Sequence, residues 1–391
     1  MLNNQTATHP RFLTYSCFAI TLIAGISGTL LGPAFQSLAQ RFSIPLENSG
    51  IFTGLQFIGI TIAILATGRL LDRINARYAL MGGSLLTGLG LLMIAGALSL
   101  PVALLGAFVL GLGYGIADVS ANVVIAKLNQ ERAGSALSLL AFFYGLGAVL
   151  GPQLLNVALS QNNFTLAFTF TAVVSLLLTI PFSQSSLHIH QRDEASEPIG
   201  STRINWWILL PFAALLFTYV GAEVGFSSWI VTQISTVALA SASLATIGAS
   251  LFWVALTSAR GLGSIVLHRI SEPHVLTLSI ILVILGTLLL LAFPTSSGVA
   301  LVSATIVGFG CGSIWPITVA MAGNIYPQSR GTVTGVIMAF GTLGGALLPW
   351  LQGIVGGGRS GGMEMVLILG IAMIGIEYFR PRPRKLAEAR L

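Results

Sequence analysis

The chain has 391 residues, 54% hydrophobic and only 8% charged, with a formal net charge of +6. Soluble globular chains carry about 25% charged residues, so this composition excludes a soluble protein, which could not cover its own surface. What remains is an integral membrane protein. The basic balance does not point to nucleic acid, because the basic residues fall in short loops and termini. Cys17 and Cys311 are the only cysteines, both inside apolar runs, and neither a zinc spacing nor a Cys-x-x-Cys pair is present.

Twelve apolar segments are suited to crossing a bilayer, which takes about 20 residues each. In chain order they run 12–38, 48–68, 78–98, 101–126, 133–159, 164–183, 205–233, 243–259, 274–294, 298–322, 331–355 and 362–379. The first begins near Phe12 and is too long for the apolar stretch of a cleavable signal. The longest polar stretch, Gln184–Arg203, divides six spans from six. Sixteen of the 18 basic residues fall in the termini or in loops after even-numbered spans, leaving only Arg41 and Arg359 on the other side. The positive-inside rule then points both termini to the cytoplasm. The C-terminal run Arg380–Lys385 reads as a topology anchor.

The halves repeat at an offset of 197 residues. Gly111-Leu-Gly-Tyr-Gly115 aligns with Gly308-Phe-Gly-Cys-Gly312, Gly134-Ser with Gly331-Thr, and Gly147–Pro152 with Gly344–Pro349. One offset serving three separate segments indicates a duplicated six-helix unit, the layout of carriers whose site lies between halves near mid-membrane.

The loop after the second span reads Gly68-Arg-Leu-Leu-Asp72-Arg73-Ile-Asn-Ala-Arg77. It resembles the Gly-x-x-x-Asp-Arg-x-x-x-Arg signature of the major facilitator superfamily, at the same place in the chain. Gly68 is expected to let helices approach. Asp72, with Arg73 and Arg77, is expected to act as a latch between the halves, the acid pairing with a basic group near a helix N-terminus. The second-half counterpart, Arg260-Gly-Leu-Gly263 followed by His268-Arg269, lacks the acid. Gly145–Pro152 resembles the superfamily's Gly-Pro motif, but a similar segment recurs in span eleven, so it reads as close packing with a proline kink rather than as evidence of efflux.

Two segments resemble a narrower branch, the fucose/glucose/galactose:proton symporters. Gly111–Asn122 looks like its span-four signature, a Gly-rich stretch leading to Asp118 and then Asn122. Tyr219-Val-Gly-Ala-Glu223-Val-Gly-Phe-Ser-Ser-Trp229 looks like its span-seven signature. The chain departs from the branch in span one, which holds no acid. Asp118 and Asn122 are four apart and share a helix face, as do Tyr219, Glu223 and Ser227. An acid inside a membrane helix costs roughly 3 kcal/mol and is rare unless it faces a cavity. The resemblance implies that spans one, four, seven and ten line one. No Lys or Arg is read within any span. A desolvated acid without a cation favours its neutral form, so each can take up a proton and release it when the cavity rehydrates.

Amides and aromatic rings suit a hydroxyl-rich neutral solute. Asn122, Gln56, Tyr219, Trp229, Trp315, Tyr144 and Gln153 are therefore the expected substrate-binding residues, beside the ion-coupling pair Asp118 and Glu223. Trp206 and Trp207 open span seven as interfacial anchors. Glu364 and Glu377 sit near the ends of span twelve and read as structural, and His188-Ile-His190 as solvated linker. No phosphate-binding Gly loop with Lys-Ser/Thr is present, and no catalytic grouping stands out. The expected protein is an all-α, twelve-helix membrane carrier and not an enzyme. It has an N-terminal bundle over 1–183, a cytoplasmic linker over 184–204 and a C-terminal bundle over 205–391. It works as a single chain, without cofactor or metal, on a small sugar-like solute coupled to a proton or to sodium, in contact with lipid and not with nucleic acid. Proton-driven efflux of apolar or cationic compounds is the first rival, and a non-transporting receptor or scaffold the second.

Overall fold

The computed structural model describes residues 10–71, 73–184, 204–267, 269–357 and 362–380, and every regular element among them is helical. The membrane helices are α1 (Pro10–Leu30), α2 (Gly50–Leu71), α3 (Ala76–Gly96), α4 (Leu100–Leu128), α5 (Ala133–Ser160) and α6 (Thr165–Leu177, continued by Thr179–Gln184). They are followed by α7 (Trp206–Thr232), α8 (Ala242–Val266), α9 (Glu272–Ala292), α10 (Ser297–Ile325), α11 (Arg330–Val355) and α12 (Met363–Phe379). Eleven are long and apolar enough to cross a bilayer by length and composition. The twelfth, α12, has 17 residues, about 26 Å at 1.5 Å per residue.

Two boundaries differ from the sequence reading by more than three residues. The predicted first span, 12–38, is split: α1 stops at Leu30 and a separate short helix covers Phe35–Phe42. Gly32-Pro33 lies between them; proline has no N–H for the helical ladder and biases its predecessor away from the helical region. The predicted eighth span ends at residue 259, whereas α8 runs on to Val266. Arg260 is thus inside a membrane helix, which corrects the expectation that no span holds a cation.

Polar side chains close several helix starts. Asn75 accepts from the N–H of Arg77 at α3, Asn205 from Trp207 at α7, and Ser296 from Val299 at α10. Each satisfies a backbone donor that the first helical turn leaves open. Pro152 in α5 and Pro349 in α11 occupy equivalent places in the repeat, 197 residues apart.

The described residues fall into two compact units. One holds the residues up to Ala34 and those from Leu55 to 184; the other holds Phe35–Gly54 and those from 204 onward. Within each, helices pair in the same way: α1 on α5 and α3 on α4 in the first, α7 on α11 and α9 on α10 in the second. Glycines set the closest approaches. A Cβ at Gly111 on α4 would meet the carbonyl of Gln56 on α2, and one at Gly308 on α10 the carbonyl of Phe252 on α8. One turn on, Gly115 faces Ile60 and Ala63, while Gly312 faces Leu256 and Ala259. The glycine offset is 197 and the partner offset 196, so the duplication seen in sequence is a duplication of packing. Such small-residue seams let membrane helices gain dispersion contact where lipid supplies no hydrophobic drive.

The most enclosed spans are α1 and α7, 72% and 67% buried, against 22% for the α5 span. The exposed side of α5 carries Phe142, Leu146, Leu150 and Val157, apolar groups at no cost in contact with lipid.

Candidate functional site

In the first unit the polar groups gather around α4. Asp118 is half-buried and lies four residues past the helix midpoint, residue 114. Asn122 is one turn on. Its Nδ2 donates to the Asp118 backbone carbonyl at 2.9 Å and to the carboxylate Oδ1 at 3.4 Å. The helical spacing alone produces this pair, and the bond to the carbonyl holds the amide facing the acid. One turn back, Tyr114 meets Tyr144 of α5 edge to face, with centroids 6.3 Å apart. Gly28 of α1 opens beside both rings: a Cβ there would lie 3.4 Å from the Tyr144 hydroxyl and 3.7 Å from the Tyr114 ring. Gln56 is fully buried and donates from Nε2 to the Ser27 carbonyl at 3.3 Å, joining α2 to α1. Its Oε1 is buried with no hydrogen-bond partner among the described residues. Gln153 is half-buried on α5; nine residues beyond Tyr144, it is about 14 Å further along the axis, away from the Tyr114–Tyr144 pair.

In the second unit Glu223 is 8% exposed and also lies four residues past its helix midpoint, residue 219 of α7. Tyr219 is fully buried, and its hydroxyl donates to the Cys311 carbonyl of α10 at 2.9 Å. Glu223 is one turn on from Tyr219 on α7, and Arg260 of α8 is near enough to interact with its carboxyl electrostatically. Sequence reasoning missed Arg260, because the apolar run stops at Ala259 and an arginine there reads as loop. The signal was available: Gly-Leu-Gly-Ser-Ile-Val follows it and carries the helix two turns further.

Trp315 is half-buried on α10, one turn beyond Cys311, with its ring against Gly341 of α11. Trp229 is fully buried, and its Nε1 donates to the Pro349 carbonyl at 2.8 Å. Ser227 is buried and donates to the Val224 carbonyl. In the latch motif, Asp72 lies outside the described residues. Arg73 is exposed in the turn after α2, and the Arg77 guanidinium sits 4.4 Å from the Tyr78 ring centroid and contacts its hydroxyl. Gly68 does not serve a close helix approach as expected: a Cβ there would meet nothing within 4 Å, since this end of α2 faces open space. Glu377 makes a two-point ion pair with Arg380, 2.8 Å at each contact. Among the described residues no group of three or more His, Cys, Asp or Glu is arranged to hold a metal ion.

A family model described as Major Facilitator Superfamily matches residues 17–235 and 199–390. The chain is 26% identical over 385 residues to the sodium-dependent glucose transporter 1A of Mus musculus, covering 87% of this chain and 88% of that protein. It is 27% identical over 344 residues to the glucose/galactose transporter of Brucella abortus biovar 1 (strain 9-941), covering 81% of each. Among solved structures, a D-xylose-proton symporter superposes with a TM-score of 0.78 at 15% identity, over 95% of this chain and 98% of that one. FucP, a superfamily transporter in the outward conformation, gives 0.64 at 17% identity, over 95% and 99%. At these identities the structural likeness is one of fold.

Proposed function

This chain belongs to the Major Facilitator Superfamily, and from that premise we propose that it carries a neutral sugar or sugar-like solute across the membrane together with a proton. The observation that carries the coupling half of this reading is the Asp118–Asn122 pair. Near the middle of a membrane helix, the Asp118 carboxylate accepts a hydrogen bond from a neutral amide, that of Asn122. An acid so placed is costly unless it is used. The solute class is supported by the relatives, two of which are named as transporters of glucose or of glucose and galactose. The amides and rings of Gln56, Asn122, Tyr144 and Trp315 are of the kinds that recognise hydroxyls and the apolar face of a pyranose.

Transport proceeds by alternating access. The bundle of residues 1–183 rocks against that of 205–391, with 184–204 as a cytoplasmic linker and both termini in the cytoplasm. Protonation of Asp118, of Glu223 or of both is coupled to solute movement. Sodium is the second reading for the ion. One relative is named sodium-dependent, and a carboxylate beside an amide oxygen offers hard oxygen ligands.

The test is counterflow in proteoliposomes with labelled hexoses, for wild type and Asp118→Asn, with and without a pH or sodium gradient. Saturable sugar exchange, with gradient-driven accumulation lost in Asp118→Asn, is the expected result. Folded protein that exchanges no sugar would remove the solute class and bring efflux of apolar or cationic compounds to the front.

A further inference from the structure

Two glycines of α1 differ in what they face. A Cβ at Gly25 would run into the backbone of α5 at Tyr144 and Ala148, so this glycine serves close helix packing. Gly28, three residues on, does not. A Cβ there would meet side chains only, the Tyr144 hydroxyl at 3.4 Å and the Tyr114 ring at 3.7 Å, both ordinary van der Waals separations. Its backbone does not demand glycine either, since the glycines with positive φ among the described residues are Gly357 and Gly362. Glycine is a poorer helix former than alanine, so neither the helix nor its packing gains from a missing side chain at this position.

The position is also not sealed. Gly28, Tyr114 and Tyr144 are each half-buried. Tyr114 shares its face of α4 with Asp118 and Asn122, four and eight residues on. A membrane acid avoids lipid, so the notch at Gly28 opens toward the polar side of α4.

The second unit shows what the same place holds when it is filled from the protein. Gly147 of α5 packs on the Leu22 carbonyl of α1, and Gly344 of α11 on the Phe217 carbonyl of α7. Leu22 and Phe217 are 195 residues apart. At that offset Gly28 corresponds to Glu223; at the glycine offset of 197, Tyr114 corresponds to Cys311 and Tyr144 to Gly341. The second unit thus carries a long side chain on α7 opposite two small residues. The first unit reverses this, with two rings opposite a bare backbone.

We propose that Gly28 is a specificity-determining residue of the solute site. Its missing side chain leaves a water-accessible notch beside Tyr114 and Tyr144, and the size of that notch sets how bulky a solute is carried. The Tyr144 hydroxyl can donate to or accept from a solute hydroxyl, and the Tyr114 ring offers an apolar face to a sugar ring. A hexopyranose, with its exocyclic CH2OH, needs more of this room than a pentopyranose, which lacks that group. The proposal rests on the reading of the chain as a sugar carrier.

Two measurements test it. The first needs no solute: Gly28→Cys, purified and folded in detergent, is treated with a small charged methanethiosulfonate reagent. Cys17 and Cys311 are buried, so the wild type gives the background, and labelling above it is expected. A folded Gly28→Cys that gains no label would overturn the notch. The second is counterflow with labelled glucose and labelled xylose in wild type, Gly28→Ala and Gly28→Val. One added methyl is expected to raise the glucose-to-xylose KM ratio by about tenfold or more, and valine to raise it further. The Tm of Gly28→Ala should be at or above that of wild type. An unchanged ratio would overturn the proposal, and so would a lower Tm in Gly28→Ala, which would make Gly28 a packing glycine. If the wild type exchanges no sugar, the solute class fails by itself; a labelled Gly28→Cys then leaves the notch standing, and an unlabelled one removes both.

Discussion

The rings of Phe35 and Trp229 pack with centroids 4.9 Å apart and planes tilted by 57°. Phe35 comes from the segment that joins α1 to α2, and Trp229 from the last turn of α7, yet both are fully buried in the same unit. The indole nitrogen is committed to the Pro349 carbonyl, and a Cβ at Gly353 would run into the far edge of the ring. In this conformation Trp229 is a packing residue that ties the segment Phe35–Gly54 to α7 and α11. Trp229→Ala is therefore expected to cost about 3–5 kcal/mol of stability. Trp229→Phe, which keeps the ring but not the hydrogen bond, should cost about 1–3 kcal/mol. Melting temperatures of the purified variants check both. A wild-type Tm in Trp229→Ala would show that the contact carries no stability.

The same segment makes a polar contact with α7's end: Gln36 Nε2 donates to Ser235 Oγ at 2.8 Å, and Ser235 lies in the single π-helical turn Gln233–Val237 that continues α7. If the cycle requires Phe35–Gly54 to part from the second unit, fixing this contact stops it. Gln36→Cys/Ser235→Cys joined by a short thiol-specific linker is expected to abolish exchange, which reduction of a cleavable linker restores. Cys17 and Cys311 are buried and free, so they do not compete for the reagent. Full exchange in the crosslinked protein would show that the segment stays with the second unit throughout.

Asn122 holds its amide on Asp118, and a hydrogen bond to a charged group is worth about 1.5–3 kcal/mol. Asn122→Ala is expected to reduce gradient-driven accumulation by about tenfold or more, since 1.4 kcal/mol is a factor of ten, while leaving the fold intact. Asp118→Asn should lose accumulation altogether and retain exchange down a solute gradient. Labelled-solute flux with and without the ion gradient separates the two. Equal accumulation in Asn122→Ala and wild type would remove Asn122 from the coupling site.

Two glycines should respond in opposite ways. Gly111→Val on α4 forces a branched side chain against the Gln56 backbone, an overpacking expected to cost about 3 kcal/mol or more. Gly68→Ala at the end of α2 meets nothing within 4 Å and is expected to stay within about 0.5 kcal/mol of wild type. Thermal unfolding in detergent measures both. If Gly68→Ala abolishes transport at unchanged Tm, Gly68 acts in a conformation other than this one.

Much was legible in the sequence for a physical reason: a bilayer forces each crossing into a long apolar helix, so hydropathy alone yields the spans. Asp118 with Asn122, and Tyr219 with Glu223, could be read directly, because residues four apart share a helix face whatever the tertiary structure. The offset between Gly111–Gly115 and Gly308–Gly312 showed the duplication, since close helix approach tolerates only small side chains. The tertiary structure alone decided contacts between helices far apart in the chain. That Tyr219 reaches Cys311, that Arg260 stands within range of Glu223, and that Phe35 and Gln36 engage Trp229 and Ser235 have no periodic signature. They depend on which helices pack and in what register, and a hydropathy pattern sees only whether a face is apolar, not which helix it meets.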